Sequence, residues 1–424
     1  MSSQTSQKSQ KSQKMSEIKT LMSNERFSLT CAPGGENHAG MEIIGINPVK
    51  GEGLTAFDME GLQPYLKNLD DVNADKVILL NLNEMSDVDI IKEKEVADQA
   101  RVLILKDWVQ DVIGSEATEN IYEEISADAW DAEYLDPNKY RTEMVDGVET
   151  RIRGKRMNKL ARTNLCYVQD REQEPAVFEG KGRIVDLKKK NILNQAVDKL
   201  KQQISDGLIS IGSKTKVEIN VVEGNRYYNL KKTGIGFHGD TERVIVICIT
   251  IGGGGDYPMR WQWFKDGMPI GKHIDIKLND GDVYIMSEKA VGSDWKLSSL
   301  YTLRHSAGAE KYRSLTRWEK RRPAYEEKLR LRAEKLALKA KEKEDRKKSR
   351  NGKKSIKAKE KVKETAKEEV KEINKKNMKE PVKETANETV KETVKKQVKK
   401  QVKKQVKKQV KKQVKKKLVI KGYL

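Results

Sequence analysis

Apolar and polar positions follow different rhythms along this chain, and each predicts a different element. Short unbroken apolar runs, "DKVILLNL" over 75–82 and "ARVLILKDW" over 100–108, have the length of buried strands. In "NILNQAVDKLKQQI" the apolar residues Ile192, Leu193, Ala196, Val197, Leu200 and Ile204 recur at the three- and four-residue spacing of one helical face. Beyond that helix, "TKVEINVVEG", "ERVIVICITIG", "MRWQWF", "KHIDIKL", "GDVYIMS", "YTLRHSAG" and "KYRSLT" follow one another as short strands. Gly/Asp/Asn clusters at 252–256, 265–267 and 279–281 separate them. Successive strands without intervening helices predict an antiparallel sandwich or barrel. The expected class is therefore α+β, with a β-rich core and flanking helices over 150–322 and a mixed α/β region over 25–149. The glycines of "GGGGD" at 252–256 predict a hairpin turn rather than a phosphate loop, because neither a Lys-Ser/Thr pair nor a helix follows them.

Both ends of the chain lack this patterning. Residues 1–24 repeat Ser, Gln and Lys with almost nothing apolar, which predicts disorder. Over 323–424 the chain is charged and then repetitive. Apolar residues such as Ala358, Val362, Ala366 and Val370 recur every fourth position, a spacing that drifts about 40° per repeat around a helix and forms no continuous seam. A disordered or helical Lys-rich tail is expected, not a coiled coil. Charge sharpens the division. The whole chain is net +21, yet residues 320–424 hold 41 basic and 15 acidic residues, so everything before them is net −5. Attraction to a polyanion belongs to the tail, and nucleic acid held by the tail is the expected partner, with a merely solvated tail as the alternative.

Cys31, Cys166 and Cys248 match neither a disulfide framework nor a zinc site, which fits a reducing compartment. No run approaches the ~18 apolar residues of a membrane span. The expected location is intracellular, cytoplasmic or nuclear, and the oligomeric state is left open.

Candidate chemistry centres on "FHGDTER". If 235–238 enter a strand, His238 and Asp240 lie two apart and point to one face, as two ligands of one cation require. The chain has four histidines. His273 alternates with Ile274 and Ile276 in a strand of structural character, and His38 lies near the N-terminus. His305, in the penultimate strand, remains as a third ligand. Two histidines and a carboxylate on one face of Fe(II) leave adjacent positions open. Taken singly, the same residues also fit a surface ion pair at His238 and a core histidine at 305.

Several stretches in register resemble one family. "IGFHGDTE" resembles the Ile-Gly-x-His-x-Asp-x-Glu signature of the AlkB-like 2-oxoglutarate/Fe(II) dioxygenases. "NRYYN" at 225–229 resembles the Asn-x-Tyr that precedes it, "LNDGDVYIMSEKAVGSDW" the Gly-Asp-x-x-x-Met-Ser stretch leading to a Trp, and "RHSAGAEKYRSLTRW" the closing strand with its 2-oxoglutarate arginine. The resemblance covers roughly 150–320. It implies a double-stranded β-helix, or jelly roll, with His238, Asp240 and His305 as metal ligands and catalytic centre. The implied cofactors are Fe(II), 2-oxoglutarate and dioxygen, in a C–H hydroxylation coupled to decarboxylation of 2-oxoglutarate to succinate. Arg313 is the expected partner of the 2-oxoglutarate distal carboxylate and Arg317 the second choice, with Asn225 and Tyr227 as further contacts. The chain departs from the family pattern in two places. Trp295 stands ten residues before His305, which implies an inserted loop at the mouth of the site, and the two arginines are four apart rather than six.

The same resemblance favours oxidative dealkylation of nucleobases in DNA or RNA. The basic stretch "RIRGKRMNKLAR" and the aromatics Tyr228, Trp261 and Trp263 are candidates for holding and stacking a base, although Trp261 and Trp263 alternate onto one face as core residues do. A hydroxylase of protein or small-molecule substrates and a non-catalytic jelly-roll binding module with a basic anchor are the alternatives.

Overall fold

A computed structural model describes residues 13–39, 42–88, 98–253 and 257–377. Its strands are β1 (Arg26–Ala32), β2 (Gly34–Asn37), β3 (Glu42–Gly45), β4 (Val77–Asn81), β5 (Arg101–Leu105), β6 (Glu133–Val145), β7 (Val148–Asn158), β8 (Thr163–Val168), β9 (Ile184–Asp186), β10 (Val221–Tyr227), β11 (Gly234–His238), β12 (Val246–Gly252), β13 (Met259–Lys265), β14 (Met268–Ile276), β15 (Val283–Met286) and β16 (Thr302–Gly308). The helices are α1 (13–22), α2 (Ala56–Lys67), α3 (Leu82–Met85), α4 (Ala117–Ser126), α5 (Asn191–Ser210), α6 (Glu288–Val291), α7 (Glu310–Arg313), α8 (Thr316–Glu319) and α9 (Arg322–Asn377).

Two sheets carry the fold. The larger runs β4-β5-β15-β12-β1-β10-β8-β9, antiparallel except for the β8/β9 pair, and the smaller runs β11-β16-β13-β14, antiparallel throughout. Period-two alternation gives each strand of the larger sheet two different faces. Phe27, Leu29 and Cys31 of β1 and Ile247, Ile249 and Ile251 of β12 pack under Met59, Leu62 and Leu66 of α2, Ile121 and Ile125 of α4, and the apolar stripe of α5. That stripe is Leu193, Ala196, Val197, Leu200 and Ile204, the face the helical spacing predicts, and Leu208 extends it. On the opposite face Val102, Ile104, Cys248 and Tyr284 meet Trp261, Trp263, Ile274 and Leu303 of the smaller sheet. Trp261 and Trp263 are fully buried, so the core role holds and neither can stack a base. The inter-sheet space is thus packed where β13 and β14 lie over β5 and β15. Where β11 and β16 lie over β1 and β10 it opens into a cavity.

Several expectations change. Strands β1, β4 and β5, from the region expected to stand apart over 25–149, pair within the same sheet as β10, β12 and β15, and the 149/150 boundary falls inside β7. One compact unit runs to Tyr325. Residues 13–22 are helical rather than disordered, because Ile18 and Met22 join the core between sheet and helices; residues 1–12 lie outside the described residues. Strands β12 and β13 belong to different sheets and so are not the arms of one hairpin; residues 254–256 of the expected turn lie outside the described residues. After β16 the chain turns into α7 and α8 instead of a closing strand, and β1 occupies the place between β10 and β12.

The second unit begins at Glu326. From there to Asn377 the chain is helical, and the side chains described along it are exposed, as a charged helix without an apolar seam should be. The repeats beyond 377 lie outside the described residues. Among those described, no helix is long and apolar enough to cross a membrane.

Candidate metal centre

His238 ends β11 and His305 lies on β16, and the two are direct cross-strand partners, with ring centroids 4.4 Å apart. Antiparallel pairing therefore brings together two residues far apart in sequence. Asp240 stands two residues beyond His238, where its Oδ1 lies 3.5 Å from Nε2 of each histidine. The ligand atoms of the three side chains all fall within 4.8 Å of one another, a group that could hold a metal ion. The residue between the first two ligands must be glycine. A Cβ on Gly239 would meet the Gly292 carbonyl oxygen at 2.1 Å, and the Asp240 N–H donates to the neighbouring Val291 carbonyl at 3.2 Å. The α6 turn thus grips the backbone on both sides of the bend.

Protonation states suit ligation. Burial pushes the His238 imidazole down to about 3, and the adjacent His305 adds to the shift against Asp240. Burial also opposes charge on Asp240, but Arg243 and the two histidines outweigh it and hold the carboxyl well below the usual range. A neutral imidazole beside an ionised carboxylate is the donor set a divalent cation takes.

The three residues open onto a cavity of about 240 Å³ between the sheets. Along β1 the polar members of "RFSLT", Arg26, Ser28 and Thr30, face it, opposite Tyr227, Asn225 and Glu223 of β10 in matching register. Arg26 is 3% exposed, and its guanidinium donates to the carbonyl oxygens of Gly252 and Tyr257 at 3.4 and 2.8 Å. Burial lowers its pKa, so its charge is held against desolvation. Trp295 and Lys296, from the segment between α6 and β16, also line the cavity.

Of the four residues expected to contact 2-oxoglutarate, Asn225 and Tyr227 line the cavity. Arg313 sits on α7, where it donates to the Gly308 carbonyl at 2.7 Å and pairs with Glu310 at 2.8 Å and Asp275 at 3.7 Å. Arg317 on α8 lies over the ring of Trp318, 3.7 Å from its centroid. Neither lines the cavity. Three other arginines do, Arg26, Arg162 and Arg243, and of these Arg26 stands on β1 beside Tyr227. A signal for Arg26 exists in the chain: Arg-Phe-Ser-Leu-Thr at 26–30 is a near copy of the Arg-Ser-Leu-Thr at 313–316, and alternates strictly between polar and apolar. Asn225 is itself constrained, its Oδ1 accepting from Arg162 at 2.6 Å and Asn164 at 2.7 Å. Tyr228, the remaining stacking candidate, is 43% exposed.

No protein-family model matches the chain. Among curated proteins it is similar to one described as an uncharacterized protein of Acanthamoeba polyphaga mimivirus, 41% identical over 159 residues, which is 38% of this chain. The match spans 57% of that relative's length.

Proposed function

We propose that the chain is an Fe(II)- and 2-oxoglutarate-dependent dioxygenase of AlkB-like character, acting on alkylated nucleobases in DNA or RNA. The observation that carries the proposal is one cavity holding His238, Asp240 and His305 together with a buried arginine, Arg26. The donors fit the metal: adjacent ligand atoms on an octahedral ion with bonds of ~2.1 Å stand about 3 Å apart, so the 3.5 Å spacings at Asp240 close with shifts of a few tenths of an ångström. Strand order supports a jelly roll. Strands β15-β12-β1-β10 oppose β11-β16-β13-β14, which makes two four-stranded layers, with β1 standing where the resemblance puts a strand after His305.

Iron bound at the three ligands would supply dioxygen activation coupled to decarboxylation of 2-oxoglutarate to succinate. The chain's own residues do the rest. His238, Asp240 and His305 would hold the metal where the three side chains face the cavity. Arg26, its guanidinium held by the carbonyls of Gly252, Tyr257 and Leu278, would set a positive charge toward the distal carboxylate of the co-substrate, and Tyr227 stands across from it. Trp261 packs behind His305 and the inter-sheet core keeps water out. Nucleic acid as substrate draws support from Arg162, which reaches the cavity from the basic stretch, from exposed Tyr228, and from the basic exposed helix beyond Glu326.

Succinate release with Fe(II) and 2-oxoglutarate, measured across alkylated single- and double-stranded oligonucleotides and lysine-containing peptides, tests this. Turnover stimulated by an alkylated oligonucleotide is expected. Stimulation only by peptides would leave the cofactor class and overturn the substrate, and absence of both iron binding and succinate would overturn the whole assignment.

A further inference from the structure

Resting on the metal site above, we infer that Arg243 is a positioning residue that presents Asp240 to the metal through a single oxygen. The two oxygens of Asp240 have different neighbours. Oδ1 faces both histidines, whereas Oδ2 lies 3.5 Å from Nε of Arg243. Arg243 is 3% exposed and cannot swing away, because its guanidinium also pairs with Glu223 and, at 2.7 Å, with Glu242. Glu223 is in turn fixed. Its Oε2 accepts from the Glu36 backbone N–H at 3.0 Å, and its Oε1 meets His38 Nε2 at 2.8 Å and Asn225 Nδ2 at 3.4 Å. A chain of buried charges thus runs from the first strands of the protein to the far oxygen of a metal ligand.

The consequence is a coordination number. A carboxylate free to turn about its Cβ–Cγ bond can close on a cation with both oxygens and take up a position a co-substrate needs. With the Arg243 guanidinium held 3.5 Å from Oδ2 by its glutamate partners, Oδ1 is the oxygen offered, and three adjacent positions would stay open on a six-coordinate ion. Arg243 was not singled out in the sequence, although it ends the "FHGDTER" stretch that carries the ligands.

The test uses the full-length protein and Mn(II) as probe, with water-proton relaxation reporting the exchangeable waters per bound ion. Wild type is expected to show about three and Arg243→Gln about two, a fall of roughly a third in relaxivity, with Mn(II) affinity lower by roughly tenfold to a hundredfold. Arg243→Lys should recover part of both. Because Arg243→Gln leaves Glu223 buried without its strongest partner, the double variant Glu223→Gln/Arg243→Gln separates folding from positioning: it should melt cooperatively and still show the reduced relaxivity. Wild-type relaxivity in either folded variant overturns the role of Arg243 alone. Failure of the wild type to bind Mn(II) overturns the metal site, and this inference with it.

Discussion

Arg26 of β1 and Tyr227 of β10 are cross-strand partners, and both line the cavity that holds His238, Asp240 and His305. Under the proposed function, the charge that meets the co-substrate carboxylate stands on the first strand of the chain rather than after His305. Arg26→Lys should keep a charge but lose the fork, and should raise the 2-oxoglutarate concentration for half-maximal succinate release. Loss of a charge-assisted hydrogen bond is worth about 1.5–3 kcal/mol, so an increase of roughly tenfold or more is expected. Arg313→Ala, which breaks only contacts with Gly308, Glu310 and Asp275, should leave that concentration unchanged. A titration in which Arg313 matters and Arg26 does not would return the role to α7.

Gly239 provides a test of the metal centre that touches no ligand. A Cβ there would lie 2.1 Å from the Gly292 oxygen and 2.8 Å from Trp295 Cδ1, so the bend between His238 and Asp240 must open. Gly239→Ala should destabilise the fold by an overpacking cost on the order of 1–3 kcal/mol. It should also weaken Mn(II) binding by roughly tenfold or more, as misplacing a ligand's support does. Calorimetric titration with Mn(II), paired with a thermal melt, checks both. A variant that binds metal like wild type would show that the bend does not set the ligand geometry.

The His238, Asp240 and His305 group was legible because the first two stand two apart at a strand end and the third lies on a strand of alternating pattern, although Asp240 reaches the group through a bend at Gly239 rather than along the strand. The arginine was not, because pairing of β1 with β10 joins residues about two hundred positions apart, and nothing local in "RFSLT" states which sheet receives it. The long β6/β7 hairpin escaped for a different reason. Both its faces are largely exposed, so it carries no apolar alternation, although Asp146 and Gly147 at its tip have the positive φ of a tight turn, 52° and 77°. Buried strands show in the apolar pattern; exposed strands do not, and strand neighbours follow from long-range pairing that a single sequence does not display.

Lys159, at the start of the loop that carries Arg162, links pH to the cavity wall. Its ammonium donates to Asn164 Oδ1 at 3.0 Å, and Asn164 donates to Asn225. Burial pushes its pKa from 10.5 down to about 8, with Arg162 reinforcing the shift against Asp131. Below pH 8 both folded and unfolded chains hold the proton and the folded state bears the buried charge. Between 8 and 10.5 the folded chain has released a proton the unfolded chain keeps, so the penalty fades and stability rises with pH. Lys159→Met should therefore melt above wild type at pH 7, and the difference should shrink by pH 10. A gap that is constant with pH would mean that Lys159 keeps an ordinary pKa.

Affinity for a polyanion and the proposed catalysis are expected to divide along the chain. Residues before Lys320 are net −5, while residues 320–424 hold 41 basic and 15 acidic residues, and the described helix beyond Glu326 is exposed. Each phosphate contact releases counterions, so a tail-held polyanion binds with a salt slope of about −0.7 to −0.9 per contact. The cut must fall after Tyr325 rather than before Trp318. Trp318 is 4% exposed and packs on Phe237 and Phe264, with ring centroids 5.6 and 5.2 Å away, and Phe237 adjoins His238 of the candidate metal centre. A chain ending at Tyr325 should keep uncoupled conversion of 2-oxoglutarate to succinate, because the ligands and Arg26 lie within the compact unit. It should lose most salt-sensitive affinity for long DNA or RNA. Binding curves for both chains at two salt concentrations decide the matter: equal affinities with equal slopes would show that the tail is only solvated, and that any nucleic acid is held by the rim around Arg162 and Tyr228.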